Sequence, residues 1–190
     1  MRTDGYGRLQ VVAGPMFSGK SEELLRRVRR ARLAGLEVAL VNHAWDERYG
    51  TGEVTSHAGL SLGSTSATDV AALLAAVGDR ELDLLAVDEA QFFGPDLVPA
   101  VETLVRRGTT VVVAGLSVTF DGRPFEPLPT LMAIAEDVTR LTAVCAVCGA
   151  DAVFHQRLRG GTGADPLEGT PAHVGGTETY VARCRRHHEP

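Results

Sequence analysis

Three observations in this sequence predict an α/β fold, a parallel sheet flanked by helices, with a small β-rich module after it. Apolar strand patterns alternate with helical patterns through the first two thirds of the 190 residues. A glycine-containing loop, Gly14-Pro15-Met16-Phe17-Ser18-Gly19-Lys20-Ser21, stands between the first strand pattern and the first helix pattern. From Cys145 onward the composition shifts to short β segments, glycine pairs and cysteines. Strands that alternate with helices require right-handed crossovers, which cover a parallel sheet on both faces.

Each element has its own warrant. Leu9 to Ala13 is a short apolar strand. Glu22 to Ala34 repeats its apolar residues at helical spacing, and Gly35 closes it because glycine accepts the left-handed turn after a helix. Glu37 to Val41 reads as the second strand. Trp45 to Gly63 is rich in Gly, Ser and Thr, a long loop of the kind that carries function. Asp69 to Val77 is a short amphipathic helix opened by Thr68 or Asp69. Leu82 to Val87 is a strand running into Asp88-Glu89, and Pro95 to Arg107 is a helix ended by Gly108. The β-branched run Thr109 to Ala114 fits a buried parallel strand. Asp137 to Val144 is expected to be the last strand, which places a domain boundary near residue 143, between 1–143 and 144–190.

Composition excludes several classes. The apolar share is 44%, ordinary for a globular chain, and the net charge of −5 gives no bulk attraction for nucleic acid. The basic cluster Arg26, Arg27, Arg29, Arg30 and Arg32 reads as a solvated face or a subunit contact. No apolar run approaches the ~20 residues of a membrane span. Residues 1–8 lack a signal-peptide core, and three cysteines that cannot all pair and are placed as metal ligands point to the cytoplasm; no membrane and no nucleic acid is expected as partner.

The loop at 14–21 fits G-x-x-x-x-G-K-[ST] in full and lies where a strand gives way to a helix. Glycines let backbone N–H groups turn toward a phosphate, and the helix start adds its positive dipole end. Gly14, Pro15, Met16, Phe17, Ser18, Gly19, Lys20 and Ser21 are therefore the candidate nucleotide-binding residues. Lys20 is placed to reach the β/γ-phosphates and Ser21 to ligate Mg²⁺. Asp88 and Glu89 end an apolar strand as a second carboxylate element does, Asp88 holding Mg²⁺ and Glu89 acting as general base. The competing reading makes these carboxylates the N-cap of a following helix. Cys145-Ala146-Val147-Cys148 and Cys184-Arg185-Arg186-His187 have zinc-ligand spacing and use all three cysteines. A closed set of four ligands is structural, with His188 as the alternative to His187. A Cys145/Cys148 redox pair is the other reading.

These pieces in this order resemble the type II thymidine kinase family, a P-loop (RecA-like) domain with a zinc-held lasso. The resemblance spans about Leu9 to His187 and rests on GPMFSGKS (14–21), DERY (46–49) with SH (56–57), DEAQFF (88–93), GL (115–116) with Phe120 and PF (124–125), and VGGTETY (174–180). It implies phosphoryl transfer from ATP to the 5′-hydroxyl of thymidine or deoxyuridine. Glu89 matches the family's base, and Arg48 matches an arginine that approaches the phosphates. Met16, Phe92, Leu116, Phe120 and Tyr180 match the wall of the base pocket, with Val174, Gly175 and Gly176 in a lasso that closes over the nucleoside. The resemblance further implies a homotetramer and feedback inhibition by dTTP. Four places depart from the family pattern. Asn42-His43 replaces a Lys-Pro pair, Ala58 and Ser117 each replace an aspartate, and His155 stands where many members have a threonine near the base. These departures bear on the base chosen, because a site that loses a hydrogen-bonding partner loses discrimination. Two other classes fit parts of the pattern: a P-loop NTPase that activates water, and a zinc-ribbon binding module fused to a nucleotide sensor. They are separated by whether ATP turnover requires a nucleoside, and by whether the zinc end carries a basic, aromatic surface.

Overall fold

Runs of five or six β-branched and aliphatic residues, too apolar to leave one face in water, dictate strands buried on both sides. The computed structural model describes residues 5–45, 53–55, 61–158 and 180–189. In chain order the elements are β1 (Leu9–Ala13), α1 (Lys20–Leu33), β2 (Val38–His43), β3 (Glu53–Thr55), β4 (Ser61–Gly63), β5 (Thr65–Ala67), α2 (Val70–Val77) and β6 (Leu84–Asp88). A 3-10 turn (Ala90–Phe93), α3 (Leu97–Arg106), β7 (Thr110–Gly115), α4 (Leu128–Ile134) and β8 (Asp137–Arg140) follow. The chain continues through β9 (Ala143–Val144), β10 (Asp151–Ala152), β11 (Phe154–Arg157) and β12 (Tyr180–Arg183).

Six strands form one wholly parallel sheet in the order β5-β2-β6-β7-β1-β8. Alternate side chains of each strand enter opposite cores. Val12, Leu40, Ala86, Val112 and Ala114 pack under Leu24, Leu25, Val28 and Ala31 of α1. Leu9, Val11, Leu85, Val87, Val111 and Val113 pack on the other face against Leu73 and Val77 of α2, Leu97, Val101 and Leu104 of α3, and Leu128 and Leu131 of α4. Parallel register brings the carboxyl ends of β1, β7 and β6 to one edge, with β7 between the other two.

Arg27 departs from the solvated basic face expected of α1. Its guanidinium turns inward to Glu23 Oε1 (2.8 Å), Gln10 Oε1 (2.7 Å), Asp137 Oδ2 (2.9 Å) and Thr139 Oγ1 (2.8 Å), locking α1 onto β1 and β8. Hydrogen bonds from Arg26 and, to a lesser degree, Arg27 hold the Glu23 carboxyl down to about 2 against the opposing effect of burial. Arg26, Arg29, Arg30 and Arg32 remain exposed.

Several elements differ from the sequence expectation. The strand read as Asp137 to Val144 is two: β8 pairs with β1, then the chain leaves the sheet and β9 pairs antiparallel with β10. The departure follows Leu141, whose N–H still bonds Ala13 O at 2.8 Å, and it carries Cys145 away from the sheet. Within the expected long loop from Trp45, β3 pairs antiparallel with β4, and β5 adds an edge strand beside β2. Helix α4 has no counterpart in the sequence reading, because Pro127 and Pro129 mask its short apolar pattern. They fall at its N-cap and first turn, where a missing N–H costs nothing.

Leu85 is fully buried beneath the helices. Truncation to alanine should cost about 2–5 kcal/mol of folding free energy, read as a lower urea midpoint with an unchanged slope.

Candidate active site

The phosphate loop is built by two kinds of residue, those that cannot carry a side chain and those that brace the turn. Gly14 is buried, and a Cβ there would lie 2.5 Å from Ser18 Oγ and 2.8 Å from Leu141 O. Phe17 and Gly19 both adopt left-handed backbone, at φ 67° and 84°. Ser18 Oγ donates to Pro15 O at 2.9 Å and Lys20 Nζ to the same carbonyl at 2.8 Å, so the lysine lies back across its own loop. With Gly19 at its N-cap, α1 starts without a side-chain cap. Its first amides and dipole end are thus open to an anion held by the loop.

Asp88 closes β6 at 2% exposure, and its Oδ1 accepts the Glu89 N–H at 2.9 Å. Glu89 is left-handed (φ 50°, ψ 41°), a conformation that costs a non-glycine residue about 1–3 kcal/mol and concentrates at functional positions. It occupies the N-cap position of the 3-10 turn, yet its side chain makes no capping bond. Its carboxylate instead accepts from Gln91 Nε2 at 2.5 Å, while Gln91 Oε1 accepts the Leu116 N–H at 3.0 Å. Gln91 is thereby a buried brace between the end of β6 and the end of β7. The sequence reading gave it no role. The signal was there, a glutamine inside an apolar cluster that needs partners for both ends of its amide. Gly115 makes room for it, since a Cβ there would stand 2.6 Å from Gln91 Oε1 and 2.9 Å from Leu128 Cδ2.

The residues expected to wall a base pocket fall into two groups. Phe92 is half-buried and leans on His43 and Trp45, each with ring centroids 5.6 Å away. His43 is itself fixed: Nε2 donates to Thr68 O at 3.0 Å and Nδ1 accepts the Trp45 N–H at 3.2 Å. Burial lowers its pKa. Asn42 accepts from Ser64 Oγ at 2.9 Å, so this departure from the family pattern serves the β2–β5 edge. On the other side, Tyr180 and His155 are buried together, edge to face at 5.7 Å. Burial pushes the His155 pKa down to about 3, with the Lys20 and His188 charges adding to it. Among the described residues its Nδ1 has no hydrogen-bond partner. Leu116 is buried, and Met16, Ser117 and Phe120 are half-buried. Arg48, Ala58, Val174, Gly175 and Gly176 lie outside the described residues.

Cys145, Cys148, Cys184 and His187 converge until their ligand atoms all lie within 4.8 Å of one another. Sγ of Cys145 is 3.8 Å from His187 Nδ1, Sγ of Cys148 is 3.8 Å from Sγ of Cys184, and Sγ of Cys184 is 3.3 Å from His187 Nδ1. A tetrahedral zinc site with normal Zn–S and Zn–N bonds has edges of about 3.5–3.8 Å, so the donor set fits that ion. A hydrogen bond from the Cys184 backbone brings the Cys145 thiol down to about 5, favouring the thiolate that metal binding needs. His187 completes the cluster. His188 points elsewhere, its Nε2 donating to Phe120 O at 2.8 Å. The metal-site core of Ala143, Cys145, Ala152, Ala182 and Cys184 packs against Phe17 of the phosphate loop.

By fold and loop the molecule is a P-loop protein of the α/β class, with a small module, packed against that loop, whose Cys3His cluster fits a metal ion. The thymidine kinase family model matches residues 7–188, and the chain belongs to that family. It is 47% identical to a thymidine kinase of Deinococcus radiodurans over 96% of this chain and 90% of that one. A thymidine kinase of Deinococcus deserti is 45% identical, covering 96% of this chain and 94% of its own. One from Halobacterium salinarum shows the same identity and coverage.

Gly115→Ala should displace Gln91 and cost about 1–3 kcal/mol by overpacking, measurable in urea unfolding; an unchanged midpoint would remove Gln91 from its bracing role. Acid should also destabilise the fold. His43 and His155 are held neutral when folded, whereas the unfolded chain takes up protons from about pH 6.5 downward. Their contribution is therefore intact above about pH 6.5 and is lost as pH falls below it, for His155 down toward about 3. The urea midpoint should drop from pH 7.5 to pH 5, and His155→Phe should shrink that drop.

Proposed function

We propose that the protein transfers the γ-phosphoryl group of ATP to the 5′-hydroxyl of thymidine or deoxyuridine, in deoxynucleoside salvage. The single observation that carries this reading is the Glu89 carboxylate, held by Gln91 in a left-handed turn directly after Asp88, on the sheet edge that also bears the phosphate loop. Membership of the thymidine kinase family supports the nucleoside as acceptor.

In this reading the loop amides and Lys20 hold the triphosphate, and Arg48 approaches it. Met16, Phe92, Leu116, Phe120, His155 and Tyr180, with Val174, Gly175 and Gly176, enclose the base. Glu89 accepts the proton of the 5′-hydroxyl as its oxygen bonds to the γ-phosphorus. The bond from that phosphorus to the bridging oxygen breaks, and ADP leaves with the electron pair. Asp88 and Ser21 supply oxygen donors suited to Mg²⁺, which when bound neutralises charge developing on the phosphates. The Cys145, Cys148, Cys184 and His187 set would hold Zn²⁺ structurally. We read 1–143 as the nucleotide-binding domain and 144–190 as the lasso domain.

The reading extends to a cytoplasmic homotetramer inhibited by dTTP, as the family resemblance implies. No described helix is long and apolar enough to cross a membrane. Leu33, 88% exposed at the end of α1 beside its arginines, supports a subunit contact there.

Glu89→Gln should retain ATP but slow transfer about 10²–10⁴-fold, the usual worth of a general base. Lys20→Ala should abolish transfer. Both are checked by ADP production with Mg²⁺, with and without thymidine. A near-normal Glu89→Gln rate excludes Glu89 as base, and wild-type turnover that ignores every nucleoside excludes the kinase reading.

A further inference from the structure

Residues 116–127, between β7 and α4, contain a small reverse hairpin. Val118 bridges Pro124, Thr119 N–H bonds Arg123 O at 2.9 Å, and Gly122 N–H bonds Thr119 O at 3.0 Å. Thr119, buried, also bonds Asp121, and its Oγ1 accepts the Arg123 N–H at 3.1 Å. The hairpin is stiff within itself, but its tip, residues 120–122, has to rest on something.

It rests on the metal-binding module. His188 Nε2 donates to Phe120 O at 2.8 Å. A carbonyl can only accept, so Nε2 carries the hydrogen. The His188 ring stacks on Phe154 of β11, centroids 4.5 Å apart and planes 16° apart, and the Arg185 guanidinium lies 5.1 Å from the centroid of the Phe154 ring. Gly122, at φ +81°, lets the hairpin approach closely: a Cβ there would stand 3.3 Å from His188 Cε1 and 3.7 Å from Phe154 Cε1. His188 in turn follows His187 immediately, and its own N–H bonds Cys184 O at 3.0 Å. Its position is thus set by the turn that the metal ligands close.

We propose that His188 is a positioning residue: it clamps the 118–124 hairpin to the metal-held turn, so that metal binding fixes where Phe120 stands in the nucleoside pocket. The metal module then does more than staple its own short strands. A chain without metal loses the placement of a pocket wall that stands on the segment joining β7 to α4. This inference rests on the nucleoside-kinase reading only for the meaning of the pocket. The clamp itself is a property of the fold.

The test uses the full-length protein as wild type, His188→Ala and His188→Gln, the glutamine keeping an N–H donor for the Phe120 carbonyl. Metal content, hydrogen exchange at the Thr119, Gly122 and Arg123 amides, and KM for thymidine and for ATP are measured on each. All three should carry one metal per chain. His188→Ala should speed exchange at those amides about tenfold, as one lost hydrogen bond with its packing allows, with β1 and β7 amides unchanged. It should raise KM for thymidine by a similar factor while KM for ATP stays put. His188→Gln should restore much of both, and chelating the metal from wild type should reproduce the alanine exchange pattern. Wild-type exchange in a metal-loaded His188→Ala protein overturns the clamp. Loss of metal from that variant also overturns it, by making His188 part of the ligand set. Altered exchange with an unchanged KM for thymidine refutes its reach into the pocket. A wild type that phosphorylates no nucleoside sinks the kinase reading instead, and the exchange data still decide the clamp.

Discussion

Where β6, β7 and β1 end side by side, the backbones come close enough that only small residues fit between them, and the site is built in that narrow space. Ala13 and Gly14 end one strand, Gly115 another, and Ala90 follows the third. Gly115 leaves just the volume that the Gln91 amide fills, and through that amide the Glu89 carboxylate and the Leu116 backbone are held in one frame. Gly14 lets the phosphate loop fold against Ser18 and the chain leaving β8. A close approach of backbone to a polar brace is rigid in a way that an exposed side chain is not.

The second module depends on the first by contact, not by a shared core. Among its described residues the buried set is the five small residues of the cysteine cluster with His155 and Tyr180, a small core for four short strands. Its reach into the site runs through single side chains. Phe17 of the phosphate loop packs on the cysteine core, His155 senses the charges of Lys20 and Glu89, and His188 bonds the Phe120 carbonyl. Phe17 and the Phe120 carbonyl are thus points at which the module touches loops of the larger sheet.

What was legible in the sequence is what local chemistry decides. The glycine pattern of the loop, the apolar strand ending in Asp88-Glu89, and the paired C-x-x-C/H spacing each express a requirement met within a few residues. Other features were not legible because they answer to distant partners. Gln91 looks like one more polar residue until Gly115 and Leu116 are beside it. Arg27 looks like part of a solvated basic face until Gln10, Asp137 and Thr139 arrive from two strands. The strand expected over 137–144 divides because its first half pairs with β1 and its second half pairs with β10, a partner that lies further along the chain.

By itself the sequence determined the α/β class, the alternation of the main strands and helices, the glycine-lysine loop, the Asp88-Glu89 pair and the three cysteines of the cluster, since periodicity and short-range spacing encode all of these. Only the tertiary structure decided which histidine joins the cysteines. His187 and His188 are adjacent and chemically equal, and they part company because one faces three sulfurs and the other a backbone carbonyl 68 residues away in sequence. Long-range hydrogen bonds of that kind have no local signature, because nothing near His188 in the chain differs for having Phe120 as its partner.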